Sequence, residues 1–438
     1  MTLARYLGVA LVALAAASCD KPETLPVTAG IGPDPTLPEP HYGIAPPIKI
    51  APPIGWAKGE TPVSAQGLRV TPFAANLNHP RWLYVLPNGD VLVAETDGPG
   101  EVIKRPKEII MRMLMAKAGA EMPRNHRIVL LRDTDGDGIA EFRSVLIEQL
   151  HSPFGMMLVG SNLYIANTDA LVRYPYQEGA TKIAERPVKI ADLPAGPINH
   201  HWTKNVIASR DGSKLYVTVG SNSNVSENGM ENEVDRAAIL EIDPATGRKR
   251  VFAFGIRNPN GMDWEPASGM LWTVANERDE IGDDLVPDYI TSVRPGGFYG
   301  WPYSYYGQHV DARPYPKRPD LVARAIKPDY AVGSHAGSLG FTFAAGNRLG
   351  PAYASGAFVG QHGSWNRRQR SGYKVIFIPF AGGKPSGMPR DVLTGFLASE
   401  GRTHGRPVGV VVDKRGGLLV ADDAGNMVWR VSAAAPRP

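Results

Sequence analysis

The sequence predicts an all-β protein, a six-bladed β-propeller with a short helical insertion and an N-terminal proline-rich tether. Three observations carry this prediction: many turn residues, six copies of one hairpin pattern, and the spacing between those copies. Gly and Pro number 48 and 39 of 438 residues, about a fifth of the chain, where average proteins have roughly 12%. With 43% apolar residues, the chain can build a core, but it must turn back on itself often.

The repeated pattern is an apolar strand, a tight turn and a second β-rich strand. Asn-Gly, Asp-Gly and Gly-Gly turns between alternating apolar runs are strong hairpin signals. The six copies pair 82–86 with 91–95, 155–159 with 163–167, 205–208 with 215–219, 261–264 with 270–274, 339–343 with 356–360, and 408–412 with 418–422. The second strands lie 52 to 86 residues apart, which fits four-stranded blades with loop insertions. We therefore predict one propeller domain over residues 61–434.

The first 19 residues are predicted to be an export signal. Arg5 precedes an apolar run, Leu7–Ala17, which is too short for a membrane span but suits a signal core. Small residues then precede Cys19, the single cysteine, so the segment resembles a bacterial lipoprotein signal with Cys19 as the lipidated residue. We expect an exported, periplasmic lipoprotein that touches the membrane through its lipid anchor only. Simple secretion, with Cys19 in the discarded peptide, is the alternative.

Residues 20–60 are predicted to form a proline-rich linker. Ten prolines fall between Lys21 and Ile54, and such a composition favours extended backbone and prevents helix formation. We interpret the segment as a tether, with an N-terminal arm lying on the domain surface as the alternative.

Residues 101–127 interrupt the hairpin pattern. Glu108–Ala120 is predicted as a short helix with basic flanks, and a helix packed on the propeller side is favoured over a lid or a dock for a redox partner or an anionic lipid surface. The net charge of +4 and the lack of any Lys/Arg run argue against a nucleic-acid partner.

The propeller prediction brings several polar segments to one end of the channel. Residues before each first strand and after each second strand should converge there, and binding groups belong on such loops. Seven of the ten histidines fall in these segments, namely those at 79, 151, 200, 201, 335, 362 and 404. Arg81, Arg257 and Arg406 join them and suggest an anionic ligand, with a neutral histidine as general base. The scarcity of inward carboxylates argues against a Ca²⁺-dependent lactonase-like hydrolase.

Five ordered motifs then give the chain a family resemblance. They are His200-His201, Lys214–Gly220, Phe254–Met262, Asn276–Asp284 and Gly297–Pro302. Together they resemble the glucose/sorbosone dehydrogenase family over about residues 70–432, closest to the sorbosone dehydrogenase branch. The family is a six-bladed propeller that uses pyrroloquinoline quinone (PQQ) and Ca²⁺.

The resemblance implies a role for each matching residue. His201 would take the substrate hydroxyl proton as hydride passes to PQQ, Arg257 would contact the quinone oxygen, and Asn258 would hold the cofactor. The backbone carbonyls of Asp279 and Glu280 would bind the active-site Ca²⁺, which acts as a Lewis acid. The remaining residues that we assign to the cofactor site are Arg278, Arg367, His404, Arg406 and His151.

The expected function is oxidation of an aldose or sugar aldehyde such as sorbosone. Electrons would pass to a periplasmic quinone or cytochrome. The alternative is a non-catalytic propeller that binds carbohydrate or protein.

Asp133–Gly138 resembles a calcium loop. Asp133, Asp135 and Asp137 take loop positions 1, 3 and 5, with Glu141 nearby, but Ser144 stands at position 12, where such loops carry a bidentate glutamate. A weak structural Ca²⁺ site and a plain turn both remain open.

Overall fold

The computed structural model describes residues 24–42, 48–100, 109, 113–114, 116–119 and 126–434. It confirms the all-β architecture with six four-stranded blades. The predicted signal segment with Cys19 lies outside the described residues, as does most of the 101–127 insertion. The described residues 109, 113–114 and 116–117 are helical, in agreement with the predicted insertion helix. Within the described part of the chain, no helix combines the length and apolar character needed to cross a bilayer.

The strands are numbered in chain order. They are β1 (Ile31–Gly32), β2 (Val63–Ser64), β3 (Leu68–Ala74), β4 (Pro80–Val85), β5 (Val91–Glu95), β6 (Arg127–Arg132), β7 (Phe142–Ile147), β8 (Met156–Val159), β9 (Asn162–Ala166), β10 (Ala170–Pro175), β11 (Val188–Asp192), β12 (Val206–Ala208), β13 (Leu215–Val219), β14 (Ala238–Ile242), β15 (Lys249–Phe254), β16 (Asn258–Trp264), β17 (Leu271–Asn276), β18 (Pro287–Ser292), β19 (Ser304–Tyr305), β20 (His309–Val310), β21 (Tyr330–Ser334), β22 (Ser338–Phe343), β23 (Gly356–Gln361), β24 (Lys374–Ala381), β25 (Lys384–Pro385), β26 (Arg390–Thr394), β27 (Pro407–Val412), β28 (Leu418–Asp422) and β29 (Met427–Ala433). Short helices occur at Pro319–Val322 (α) and at Val27–Gly30, Met230–Glu233, Pro351–Tyr353 and Ser399–Gly401 (3₁₀).

Each blade is an antiparallel sheet whose first strand lies innermost. Blades 1 to 3 are β4–β7, β8–β11 and β12–β15; blade 4 is β16, β17, β18 and β21; blade 5 is β22, β23, β24 and β26. Blade 6 is β27, β28 and β29, completed by the N-terminal β3, which pairs Leu68 with Ala433. The six inner strands contact one another in turn, and β27 meets β4 to close the ring. The six predicted hairpins are therefore the first two strands of the six blades.

The core lies between neighbouring blades. Trp82, Leu92 and Ile128 of blade 1 pack against Phe154 and Ile165 of blade 2, and similar clusters fill the other junctions. The middle strands are buried on both faces, as in β5, where all five residues are buried. The sequences of such strands are nearly continuous apolar runs.

Glycines on the inner strands allow neighbouring blades to approach closely. A β-carbon at Gly261 of blade 4 would lie 2.5 Å from the Phe341 nitrogen of blade 5, and one at Gly155 would lie 2.7 Å from the Asn205 Cα. Part of the high glycine content therefore serves the narrow centre of the propeller rather than the hairpin turns.

The N-terminal arm, which we define as residues 24–60, is packed on the domain wherever it is described. β1 adds a fifth strand to blade 4 beside β21. The Leu25 amide donates to Asp284 at 2.9 Å, and the Ile54 amide donates to the Thr403 carbonyl at 2.8 Å. This corrects the interpretation of the segment as a tether. Extended, proline-rich backbone leaves its remaining N–H and C=O groups free, and blades 4 to 6 supply their partners.

Trp56 fixes the arm to blade 6, and its removal should destabilise the protein. Its indole N–H donates to Asp422 Oδ2 at 2.7 Å, and its ring packs against Phe396 and Trp429. We expect Trp56→Phe to lower the free energy of unfolding by about 1–2 kcal/mol through loss of a hydrogen bond to a charged group.

The destabilisation caused by Trp56→Phe should depend on pH. Burial raises the pKa of Asp422 to about 6, although the Trp56 hydrogen bond opposes the rise. This pKa exceeds that of an aspartate in the unfolded chain, so stability falls as the pH rises through about 6 and Asp422 ionises. The hydrogen bond from Trp56 favours the ionised form of Asp422. The free energy of unfolding, measured with urea, should therefore fall more in Trp56→Phe at pH 7.5 than at pH 5. Trp272→Phe is the matched control, since the buried Trp272 indole N–H has no hydrogen-bond partner; equal losses at both pH values for Trp56→Phe would contradict the prediction.

Candidate active site

The segments that precede the inner strands and follow the second strands meet at one end of the channel, here called the channel mouth. Contacts between side chains join the blades there: Arg81 of blade 1 binds Asp423 of blade 6, and His362 of blade 5 binds the same carboxylate. In blade 4, Asp279 accepts a hydrogen bond from Asn366 of blade 5. The predicted convergence of polar residues is therefore present.

His201 lies in the β11–β12 loop with one ring nitrogen fixed. Its Nδ1 is 2.9 Å from the Ser221 carbonyl oxygen and 3.0 Å from Ser221 Oγ. Burial, and then the positive charge of Arg257, lower the pKa of His201 well below 6.5. The imidazole is therefore neutral near pH 7, with the proton on Nδ1 donated to the carbonyl. The lone pair on Nε2 is left to accept a proton.

The backbone of Gly220 lies directly against the side chain of His201. A β-carbon at Gly220 would lie 2.5 Å from Asn258 Oδ1 and closer still to the His201 Cβ. His201 and Asn258 can therefore occupy these positions because residue 220 has no side chain.

Gly220→Ala should reduce activity by displacing His201. Overpacking of this kind costs about 1–3 kcal/mol of stability, and a displacement near 1 Å can lower the rate about 100-fold. Turnover and the unfolding temperature should be measured together, with Gly340→Ala as the control for overpacking elsewhere. The Gly340 β-carbon would press on the backbone of β27, away from His201. Loss of stability without a specific loss of turnover in Gly220→Ala would contradict this role.

Arg257 is held in a fixed orientation by backbone and side-chain acceptors. Its Nη1 donates to the Glu277 carbonyl at 2.6 Å, its Nε donates to the Asn224 carbonyl at 3.2 Å, and its Nη2 donates to Asn224 Oδ1 at 3.0 Å. Asp279 Oδ2 lies 3.4 Å from Nη2. These bonds leave one N–H on Nη1 to meet a ligand.

Asp279 and His335 form a buried ion pair beside Arg257. His335 Nδ1 donates to Asp279 Oδ1 at 3.2 Å, and Nε2 donates to the Gly282 carbonyl at 3.0 Å. Burial opposes the ionisation of both groups, but their mutual contact outweighs it. The pKa of Asp279 falls to about 2, helped by Arg257, and the pKa of His335 rises above 6.5. With both ring nitrogens donating, His335 is an imidazolium.

A second cluster surrounds Asp423 across the channel. Asp423 Oδ2 accepts from Arg81 Nη1 at 2.5 Å and from His362 Nε2 at 2.9 Å. Burial lowers the pKa of His362 to about 4 against the attraction of Asp423, and the charges of Arg406 and Arg81 lower it further. Arg406 lies over the Tyr373 ring and donates to the Ala51 carbonyl of the arm.

The two clusters together hold an excess of positive charge. Four cations, Arg81, Arg257, Arg406 and His335, lie with three buried carboxylates, Asp279, Asp423 and the neighbouring Asp422, which accepts from the Arg406 amide. The remaining positive charge calls for an anionic ligand, because unbalanced charge in a poorly solvated site is costly. Buried polar atoms without partners lie in the same region and suit a polar ligand, namely Arg81 Nε, Arg406 Nε, Asn258 Oδ1 and Asn366 Oδ1.

Comparison with known proteins agrees with this arrangement. A model of the TrAA12-like family matches residues 120–297 and 313–434, more than half of the chain. The chain belongs to the TrAA12-like family. The predicted resemblance to PQQ-dependent sugar dehydrogenases is thereby confirmed at the level of the family.

Two curated relatives are similar to this TrAA12-like chain. An uncharacterised protein of Borreliella burgdorferi is 28% identical over 65% of the chain and 77% of its own length. A pyrroloquinoline quinone-dependent pyranose dehydrogenase of Coprinopsis cinerea is 23% identical over 72% of the chain. The match spans 44% of the length of that second relative.

Solved structures share the fold. The holo form of the pyranose dehydrogenase PQQ domain from Coprinopsis cinerea aligns with a TM-score of 0.67 at 19% identity, over 87% of this chain and 100% of that one. The calcium structure of the Trichoderma reesei family AA12 enzyme aligns with a TM-score of 0.68 at 17% identity, over 85% and 97% of the two chains.

Several residues predicted to bind the cofactor have other partners in this TrAA12-like chain. Arg278 is fully buried and uses every guanidinium nitrogen on Glu277, Asp311 and backbone carbonyls. Arg367, also buried, binds Asp284 and the carbonyls of Leu25, Asp283 and Gln369. Both arginines are thus engaged in contacts within the protein, and their assignment to the cofactor site stays a prediction.

His404 and His151 lie at the margin of the site. His404 Nδ1 is 3.0 Å from the Gly55 carbonyl, and its ring stacks on Trp56, so it faces the arm. His151 pairs with Asp169 at 2.9 Å, and its side chain is 55% exposed. His404 therefore holds the arm, and His151 lies on the exposed rim.

Of the two carbonyls predicted to bind calcium, that of Asp279 has other partners, whereas that of Glu280 stays a prediction. The Asp279 carbonyl oxygen accepts hydrogen bonds from Arg313 and Asn224. Glu280 is exposed, with a φ of 71°.

Some residues of the site were not assigned from the sequence. The sequence did point to His335 and His362, since they belong to the seven clustered histidines, and to Asp423, which directly follows the sixth hairpin. Asn224 and Asn366 lie in irregular loops, where no local pattern distinguishes them.

The loop at Asp133 connects β6 to β7, at the end of blade 1 opposite the channel mouth. Ligand atoms of Asp133, Asp135, Asp137 and Glu141 lie within 4.8 Å of one another. Asp133 also caps the Gly136 and Gly138 amides, as a plain turn would. The weak calcium site therefore stays a prediction.

Proposed function

We propose that the chain is a PQQ-dependent oxidoreductase that oxidises an aldose or a sugar aldehyde at the channel mouth. The observation that carries the proposal is His201, a neutral base with a free Nε2, set beside the cation surplus. A base next to a site for a polyanion suits proton removal from a hydroxyl in the presence of an anionic redox cofactor. Membership of the TrAA12-like family supports the same conclusion.

The residues present fit PQQ, which carries three carboxylates. Arg81 and Arg406 would bind carboxylates through charge-assisted hydrogen bonds. Arg257 would donate to a quinone oxygen through its remaining N–H, and Asn258 Oδ1 would accept from the ring edge. When bound, PQQ supplies the two-electron acceptor to which the substrate C–H hydride passes.

The protein's own contribution is proton transfer and charge stabilisation. His201 Nε2 removes the hydroxyl proton of the substrate carbon that loses hydride, while Nδ1 stays bound to the Ser221 carbonyl. Asn224 and Asp279 hold Arg257 in place, so its positive charge is oriented before negative charge develops.

Substrate identity, export and acceptor belong to the same proposal. A pyranose, as in the name of the Coprinopsis relative, and a sorbosone-like aldehyde are both candidates. We further propose a periplasmic enzyme, anchored through a lipid at Cys19, that passes electrons to a quinone or cytochrome.

A reconstitution experiment tests the activity. Purified protein is loaded with PQQ, and reduction of an artificial dye is followed over a panel of aldoses, pyranoses and sorbosone. We expect reduction that requires both PQQ and sugar. PQQ binding without reduction by any sugar would overturn the oxidoreductase and favour a binding propeller, whereas lactone hydrolysis without PQQ would favour a hydrolase.

A further inference from the structure

The Asp279 carbonyl oxygen, the position expected to bind calcium, already has two hydrogen-bond donors. Arg313 Nη1 lies 2.9 Å away and Asn224 Nδ2 lies 3.1 Å away. A carbonyl oxygen has two lone pairs, and both are directed to these donors. One of the donors is a cation.

Arg313 is fixed at this position by a second contact. Its Nε and Nη2 donate to the two oxygens of Asp311 at 3.0 and 2.7 Å. Asp311 also binds Arg278, which in turn binds Glu277. Two arginines thus balance two carboxylates, so this group has no net charge to attract a metal ion.

The side chain of Asp279 is equally occupied. Oδ1 accepts from His335 and Asn366, and Oδ2 faces Arg257. Calcium requires six to eight oxygen ligands. Among the residues that the structure describes, the group of three or more His, Cys, Asp or Glu side chains close enough to share a metal ion is the Asp133 loop, at the opposite end of blade 1.

We propose that Arg313 takes the place of calcium, so that this site binds its quinone cofactor without a divalent cation. The inference rests on the proposed function for the identity of the cofactor. The Arg313 guanidinium, bound to the Asp279 carbonyl, therefore supplies at this position the positive charge that a metal would otherwise bring. Among the fold relatives, calcium appears in the name of the Trichoderma reesei structure.

Metal content provides the first test. The Asp135→Asn/Asp137→Asn variant removes two of the four carboxylates of the Asp133 loop but keeps side-chain oxygens that can bond the turn amides. Chelator-treated protein is dialysed against micromolar Ca²⁺, with and without PQQ, and bound calcium is counted. We expect no equivalent of Ca²⁺ in this variant under either condition. One equivalent retained with PQQ present would overturn the inference.

Cofactor affinity provides the second test. The Kd of PQQ, measured by protein fluorescence in chelator and in Ca²⁺, should change by less than about twofold for the natural protein. Tenfold tighter binding in Ca²⁺ would contradict the inference. If PQQ binds in neither buffer, the proposed function is overturned instead. The bound calcium measured without PQQ then still decides whether the channel mouth binds the metal.

Variants of Arg313 assign the effect to this residue. Arg313→Gln frees a lone pair of the Asp279 carbonyl and leaves Asp311 in excess, so PQQ binding should weaken about tenfold and Ca²⁺ should restore it. Arg313→Lys keeps the charge and should remain insensitive to Ca²⁺. The unfolding temperature of each variant is checked first, and a folded Arg313→Gln protein that binds PQQ as the natural protein does would show that Arg313 is not the substitute cation.

Discussion

Replacing His201 by alanine should lower kcat by about 10²–10⁴-fold, the contribution typical of a positioned general base. The binding of PQQ should be almost unchanged, because the cation surplus remains intact. The substitution removes the Nε2 acceptor, and the neutral His362 lies across the channel with its own ring nitrogen bound to Asp423. The measurement is steady-state dye reduction at saturating PQQ, with the Kd of PQQ determined separately.

The pH profile gives this prediction a second readout. A base acts only when deprotonated, so kcat/KM falls as the pH drops through the pKa of His201. Burial and Arg257 place that pKa well below 6.5, so the profile should stay flat from pH 6.5 to 8 and decline only at lower pH. His309→Ala is the matched control, since His309 is exposed on β20, outside the mouth. Turnover of His201→Ala within a few-fold of the natural protein would rule out the base.

Replacing Arg406 by methionine should weaken PQQ binding by about 10–100-fold, the range expected for the loss of a charge-assisted hydrogen bond. Arg406 is buried, its Nε has no partner, and its guanidinium lies over Tyr373. Methionine keeps much of the packing and removes only the charge and the donors. At saturating PQQ, kcat should recover most of its value, because Arg406 is remote from His201 in the chain of contacts.

The control for this second prediction is Arg430→Met. Arg430 is also buried, and it pairs with Asp413 at 2.6 Å at the opposite end of blade 6. The Arg430→Met variant should have a lower unfolding temperature but an unchanged Kd for PQQ, which is measured by fluorescence titration. Arg406→Lys should lie between the natural protein and Arg406→Met. Equal affinities for all of these proteins would show that the cofactor carboxylates lie elsewhere.

The fold was predictable because its signals are local. Five of the six hairpins are each encoded within about fifteen residues by alternating apolar positions and a turn such as Asn88-Gly89, and six copies can build only a few architectures. His201 was also predictable, because it lies in a motif directly before an inner strand. The sequence pattern did not reveal the inner-strand glycines such as Gly261, whose role depends on a neighbouring blade.

The sequence alone determined the six blades and the end of the channel where polar residues gather, and it placed His201 and Arg257 there. Only the tertiary structure decided which arginines are free to meet a ligand. Arg278 and Arg367 are taken by carboxylates and carbonyls, whereas Arg81 and Arg406 keep unpaired donors. The physical reason is that strand and turn preferences act between near neighbours in the chain. The partner of a charged side chain is instead set by distance in space, as between Arg313 and a carbonyl 34 residues away.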